Sequence, residues 1–200
     1  MSRFDAAAAT WDKGDMRQRI AFETAETILR TIPLGNDMDL LDFGAGTGLL
    51  TYRLAPAVRS VTAVDTSVKM LEVLQSKSTP EHVIKTVCGD ITKVPLSETF
   101  DGIISSMAMH HVEDTVAFLK TLHDHLRPGG FIAIADLDTE DGSFHSHGNE
   151  GVYHFGFDRE ALRETAEKHG FTNVRFDTAL TIEKPAGNYP VFLFYALKAA

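Results

Sequence analysis

The chain has 200 residues, 44% of them hydrophobic, which is enough to bury a full core as one domain. A formal net charge of −9 lacks the basic footprint that phosphate-backbone binding needs, so nucleic acid is a poor candidate substrate. The single cysteine, Cys88, excludes an intramolecular disulfide and any all-cysteine metal site, and its place at the end of an apolar run predicts a small core residue.

The opening MSRFDAAAATWDKGD has no apolar run of signal-peptide length, and no segment approaches the length of a membrane span, so a cytoplasmic location is expected. Residues 16–32 place Ile20, Ala21, Ala25, Ile28, Leu29 and Ile32 at helical spacing, and Pro33 and Gly35 end the pattern. Strand-like runs follow at 39–43, 60–64, 83–88, 102–105 and 131–135, separated by helical patterns at 47–54, 67–77 and 115–126. This βα alternation predicts a parallel sheet. Asp158 is placed to cap a helix that ends at Gly170, and the two final runs, FTNVRFDTALTIE and YPVFLFYALK, should pair antiparallel. The expected fold is α/β: a seven-stranded, mostly parallel, Rossmann-like sheet with an antiparallel C-terminal hairpin and helices on both faces. One domain covers residues 1–200, with 1–35 as an N-terminal helical cap and 137–157 as a candidate acceptor-site loop.

Residues 40–65 carry the most chemical information. LLDFGAGTG reads as a buried strand ending in a glycine turn, and SVTAVD as the next strand ending in a carboxylate, which together make half of a nucleotide-binding unit. The glycines are Gly44, Gly46 and Gly48, and Leu49 stands where a dinucleotide fold would place its third glycine. A ligand without a pyrophosphate therefore fits better. Asp42 would attract a cationic amino group or sulfonium, and Asp65 is placed to accept hydrogen bonds from a ribose diol. Both residue types are also common in βα turns and as helix caps.

At this point the sequence resembles the class I S-adenosylmethionine-dependent methyltransferases. LDFGAGTG is similar to their first motif, with Gly44, Ala45 and Gly46 against the cofactor, and VDTSVKML to their second-strand signature, with Thr66 following the ribose acid. FDGIISSMAMHHVED and LRPGGFIAIADLD are similar to their fourth and fifth strands, so the resemblance covers residues 40–138. It implies S-adenosylmethionine as cofactor and S-adenosylhomocysteine as product. It also implies that Gly89, Asp90 and Ile91 form the adenine segment, Asp90 meeting the amino group through its side chain and the next backbone amide meeting a ring nitrogen. The alternative for Asp90 is an ordinary turn aspartate.

After the fourth strand, Ser105 and Ser106 would pass the methionine moiety, and Met107 and His110 would lie between cofactor and acceptor. Two adjacent histidines cannot both face one site if extended, and a His-Val pair occurs near the active site of many relatives. That makes His111 the candidate catalytic residue, with a helix-start or core histidine as the alternative. The run from Asp136 to Phe157 holds five carboxylates and three histidines and is too long for a simple connection. The acceptor pocket is expected there, with His145 and His154 as contacts. Asp136, Asp138, Asp141, His145, His147 and His154 show no recognised cation-binding spacing, so no metal is expected. FDAAAATWD resembles a segment that folds over the cofactor in small-molecule methyltransferases, making Trp11 a substrate contact or, alternatively, a packing anchor for the first helix; Arg17 reads equally as a solvated helix residue.

The function this implies is methyl transfer to a small molecule by in-line displacement, with the protein contributing alignment and desolvation. Two rivals are a non-catalytic cofactor-binding or partner-activating subunit, and a nicotinamide oxidoreductase. For the latter, no tyrosine among Tyr52, Tyr153, Tyr189 and Tyr195 is followed four residues later by lysine.

Overall fold

A computed structural model describes residues 3–145 and 148–200. Helix α1 (Arg3–Ala7) and a 3₁₀ turn (Ala8–Lys13) lead into α2 (Asp15–Thr31). The alternating section then runs β1 (Asp39–Phe43), α3 (Thr51–Leu54), β2 (Ser60–Asp65), α4 (Val68–Ser76), β3 (Val83–Cys88), β4 (Phe100–Ser106), α5 (Thr115–His125) and β5 (Leu126–Leu137). Helix α6 (Arg159–Lys168) and the hairpin β6 (Phe171–Lys184) and β7 (Gly187–Lys198) complete it. The caps are local and chemical. Ser67 accepts from the Met70 N–H, Asp114 from Ala117 and Asp158 from Ala161, each satisfying a first-turn donor that the helix itself cannot.

The sheet order is β3-β2-β1-β4-β5-β7-β6. Strands β1 to β5 pair in parallel, and β7 is antiparallel to both β5 and β6. Alternation along β1 divides the core: Leu40 packs with Ile20 and Ile28 of α2, whereas Leu41 packs with Phe118, Leu119 and Leu122 of α5. Each such side chain contributes about 1.5–3 kcal/mol by leaving water. The chain moves from β1 out to β3, then returns to β4 on the other side of β1. That reversal opens a crevice beyond the carboxyl ends of β1 and β4.

Three local expectations need correction. The helical pattern over 47–54 yields only Thr51–Leu54, followed by a 3₁₀ turn at Ala55–Ala57, because Gly48 has φ +83° ahead of it and Pro56 cannot donate to a continuing ladder. Strand β5 starts at Leu126 rather than at 131, since Leu126 pairs with Phe100 across a register shift. Cys88 is exposed, not in the core, because β3 is the sheet edge.

Candidate active site

A cavity of about 1090 Å³ lies in the crevice. That is at the upper end for small-molecule sites and leaves room for two ligands side by side. One half is built by the glycine turn and the ends of β2 and β3. Gly44 has φ +67°, and a Cβ there would fall 2.4 Å from the Cβ of Ala108, so only glycine lets the β1 turn pass beneath the β4 turn. Gly46 has φ +55°, and a Cβ there would meet nothing within 4 Å, because it faces the cavity. The Gly46 N–H donates to Oδ2 of Asp65 at 2.8 Å, and the Ser67 N–H donates to Oδ1 at 2.8 Å. Burial raises the Asp65 carboxyl above its ordinary range, against these backbone donors. Ala45, Thr66, Gly89 and Asp90 line the same half.

Several expected contacts take other roles. Asp42 lines the cavity floor but is 1% exposed and accepts the Thr51 hydroxyl at 2.5 Å. Burial, reinforced by the charge of Asp65 and opposed by Thr51, pushes its carboxyl up to about 7, so near neutral pH it is not a fixed anion. Asp90 holds its own turn, accepting from the Thr92 N–H and hydroxyl and pairing with Lys93 at 3.2 Å. Burial alone would raise its carboxyl, but these partners hold it below the usual range. The Ile91 side chain is 1% exposed within the α5-side core, leaving only its backbone for a ligand. Ser105 is fully buried and donates to the Phe43 carbonyl at 2.7 Å, because strand alternation turns it into the sheet while Ser106 lines the cavity.

The other half of the cavity is formed by the turn after β4, the loop after β5 and the N-terminal segment. Met107 lines it with φ +58°, a left-handed conformation held by its N–H on the Ala135 carbonyl at 2.8 Å. The reversal brings His110 onto Asp136 at the end of β5. Asp136 is fully buried: Oδ2 accepts the His110 backbone N–H at 3.1 Å and Oδ1 faces His110 Nδ1 at 2.8 Å. Nε2 of His110 is buried and has no partner among the described residues. His111, the expected catalytic residue, has both ring nitrogens engaged. Nδ1 donates to the Gly151 carbonyl at 2.6 Å, and Nε2 accepts from Arg3 at 3.2 Å. Burial first, then neighbouring charges, lowers it to about 4. A ring fixed at both ends is a tether rather than a free base.

His145 stands over this pair, its ring centroid 5.2 Å from that of His110 and 6.1 Å from that of His111, and burial lowers it to about 4. His154 does not line the cavity. Its Nε2 meets the Val112 carbonyl at 2.9 Å and the Thr115 hydroxyl at 3.2 Å, which pins the loop to the start of α5. Asp138 forms a two-point ion pair with Arg159, and His147 lies outside the described residues. Trp11 lines the cavity with the Arg17 guanidinium 3.8 Å from its ring centroid, so Arg17, an exposed helix residue, also stacks on the indole. The segment is pinned across the cofactor half, since Asp12 accepts the Thr47 hydroxyl at 2.5 Å and Asp5 accepts that of Ser67 at 2.6 Å.

Sequence reasoning missed Lys184, Phe144 and the pairing role of Asp136. Lys184 reaches the cavity from the end of β6, with Nζ on the Phe144 carbonyl at 2.5 Å and 3.7 Å from its ring centroid. Nothing local marks it. Asp136 did leave a signal: a carboxylate closing the apolar run FIAIADL must find donors if that strand is buried on both faces.

Residues 41–134 match the family described as methyltransferase domain. An uncharacterised methyltransferase of Schizosaccharomyces pombe is 29% identical over 168 residues, covering 76% of this chain and 57% of that protein. The chain spans about half the length of the curated relatives it matches. Among solved structures, a chain of the complex between the Haloferax volcanii Trm112 methyltransferase activator and a methyltransferase superposes with a TM-score of 0.82 at 21% identity, covering 100% of this chain and 99% of that one. Phosphoethanolamine N-methyltransferase 2 of Haemonchus contortus, solved with S-adenosyl-L-methionine, superposes with a TM-score of 0.73 at 18% identity over 100% of this chain and 61% of that one. The ordered motifs and the strand order agree with these matches: residues 41–134 carry a methyltransferase domain.

Proposed function

We propose that the chain transfers a methyl group from S-adenosylmethionine to a small-molecule acceptor. The observation that carries this reading is the single cavity in two chemically distinct halves. The glycine-turn half offers Asp65, held by two backbone N–H groups, Asp90, held by the N–H and hydroxyl of Thr92, and the open face of Gly46, which together suit a nucleoside with a ribose diol. Asp42 beneath it can regain its charge beside a cationic group, which suits an amino acid or sulfonium portion. The histidine half, with Trp11, Met107, Phe144 and Lys184, suits an acceptor that is partly apolar. Residues 1–35 act as the cap and 137–157 as the acceptor-side loop of one methyltransferase domain. Displacement at a sulfonium needs alignment and exclusion of water more than bond-forming side chains.

Among the described residues no helix is long and apolar enough to cross a membrane, which is compatible with a cytoplasmic enzyme. The test is parallel calorimetric titration with S-adenosylmethionine, S-adenosylhomocysteine and NAD, followed by a methyl-transfer screen over metabolite pools. Binding of NAD without binding of S-adenosylmethionine overturns the reading. A second reading has one specific support, the neighbour solved with an activator protein: the chain would bind the cofactor and work only with a partner. Turnover by the purified chain alone separates the two.

A further inference from the structure

His110, His111 and His145 hold their ring centroids 4.1 Å, 5.2 Å and 6.1 Å apart at the acceptor side of the cavity. Rings this close repel one another when charged, and their surroundings differ. Asp136 touches His110 alone, at Nδ1 and at the backbone N–H, and also accepts the Leu137 N–H at 2.8 Å. All three contacts bring hydrogens to the carboxylate, so Nδ1 carries a proton and Nε2 presents a lone pair. That atom is the one ring nitrogen of His110 left without a partner among the described residues, in a side chain that is 2% exposed. A buried acceptor without a partner is a cost that function can explain; Nε2 of His145 in the same cluster is also buried and unpartnered among the described residues, but no carboxylate touches that ring.

The remaining charged groups facing the cluster disfavour the alternatives. Arg3 donates to His111 and Lys184 lies on Phe144 beside His145, so both neighbours are opposed by a cation, whereas the anion sits under His110.

We propose that Asp136 and His110 form a proton-accepting dyad, and that the methyl acceptor therefore presents a hydroxyl or an amine nitrogen bearing a proton. This rests on the methyltransferase reading and deepens it. The acceptor oxygen or nitrogen forms the new bond to the methyl carbon. The carbon–sulfur bond breaks and its electron pair stays on sulfur. The acceptor's proton passes to His110 Nε2, and Asp136 stabilises the resulting imidazolium before the proton returns to solvent. His145, on the loop after β5, stands beside this ring with the two centroids 5.2 Å apart.

Two measurements on the full chain test the dyad. The first needs no acceptor: nitrogen-15 correlation spectra of the histidine rings, assigned with His110→Gln. A protonated Nδ1 and an unprotonated Nε2 at His110 are expected, and the opposite tautomer overturns the proposal. The second is labelled methyl transfer from S-adenosylmethionine to a phenol and a primary amine, with hexanoate and a dialkyl sulfide as proton-free comparisons. Transfer to the phenol or amine is expected, with turnover reduced about 10²-fold or more in His110→Gln and Asp136→Asn, donor affinity kept within about twofold, and the acidic limb of the pH–turnover profile lost. Transfer confined to the proton-free compounds overturns the proposal, and so do variants that bind donor and keep both parental turnover and the acidic limb. If the wild-type chain binds no S-adenosylmethionine, the methyltransferase reading fails, and the histidine spectra still judge the dyad.

Discussion

Gly46 and Asp65 are joined by a 2.8 Å hydrogen bond from the glycine N–H to Oδ2, so the turn after β1 and the end of β2 form one unit. With Ser67 on Oδ1, the carboxylate holds two backbone segments in place and keeps one face toward the cavity. Asp65→Ala should therefore weaken S-adenosylmethionine binding by about 1.5–3 kcal/mol, the scale for a charged group losing its partners, while the chain stays folded. Calorimetric titration measures this, and unchanged affinity would reduce Asp65 to a tether of the turn.

The two glycines of that turn should separate stability from binding. Gly44→Ala combines a left-handed backbone with a Cβ only 2.4 Å from that of Ala108 and should lower stability by about 2–4 kcal/mol. Gly46→Ala meets no atom and carries only the backbone cost of about 1–2 kcal/mol, but its methyl enters the cavity. Thermal unfolding should rank Gly44→Ala as the less stable, and cofactor titration of Gly46→Ala should show the loss of affinity. The reverse ranking of stabilities would contradict the packing at Ala108.

Asp42 gives the unliganded chain a specific pH dependence. Its folded value of about 7 lies above the ordinary 3.8, so between roughly pH 4 and 7 the unfolded chain releases a proton that the native state retains. Its contribution to stability is fully present below pH 4 and is lost as pH rises toward 7. Asp42→Asn should remove this contribution, raising the melting temperature relative to wild type more at pH 8 than at pH 5. A cationic ligand favours the ionised carboxyl, so cofactor binding near pH 6 should release protons. Titration in buffers of different ionisation enthalpy detects that release.

The histidines at the acceptor side act in the opposite direction. His111 and His145 fall to about 4 from 6.5, so the unfolded chain takes up protons as pH drops through that window and the native state does not. Stability from these groups is present above pH 6.5 and is lost toward pH 4. Replacing His111 with Asn should flatten the decline in urea midpoint between pH 6.5 and 4.5; an unchanged slope would show that burial of the ring is not what depresses it.

Trp11 caps the cavity without lying in the glycine-turn unit, and Arg17 stacked on it keeps the ring in place. Trp11→Ala should reduce turnover more than donor affinity, because a displacement reaction loses rate when alignment is lost even if ground-state binding survives. Comparing kcat with donor affinity, on the acceptor found by the screen, checks this.

The parts of this protein legible in its sequence are those governed by neighbours along the chain. The continuous apolar runs of β1 and β5, aspartate and serine caps, the left-handed glycines of the first turn and the carboxylate closing β2 all follow from local sterics and hydrogen bonding. The tertiary structure alone decided which of Ser105 and Ser106 faces the cavity, and that His110 rather than His111 keeps a free nitrogen. The left-handed Met107 and the 3₁₀ turn behind it set the orientation of those side chains, and no spacing rule encodes such a reversal. Asp136, Arg3 and Lys184 reach the same cluster from β5, the N-terminus and β6, and His154 leaves it for Val112 and Thr115. Those choices depend on contacts between residues from 26 to 108 positions apart, which exist only once the sheet has closed around its switch point.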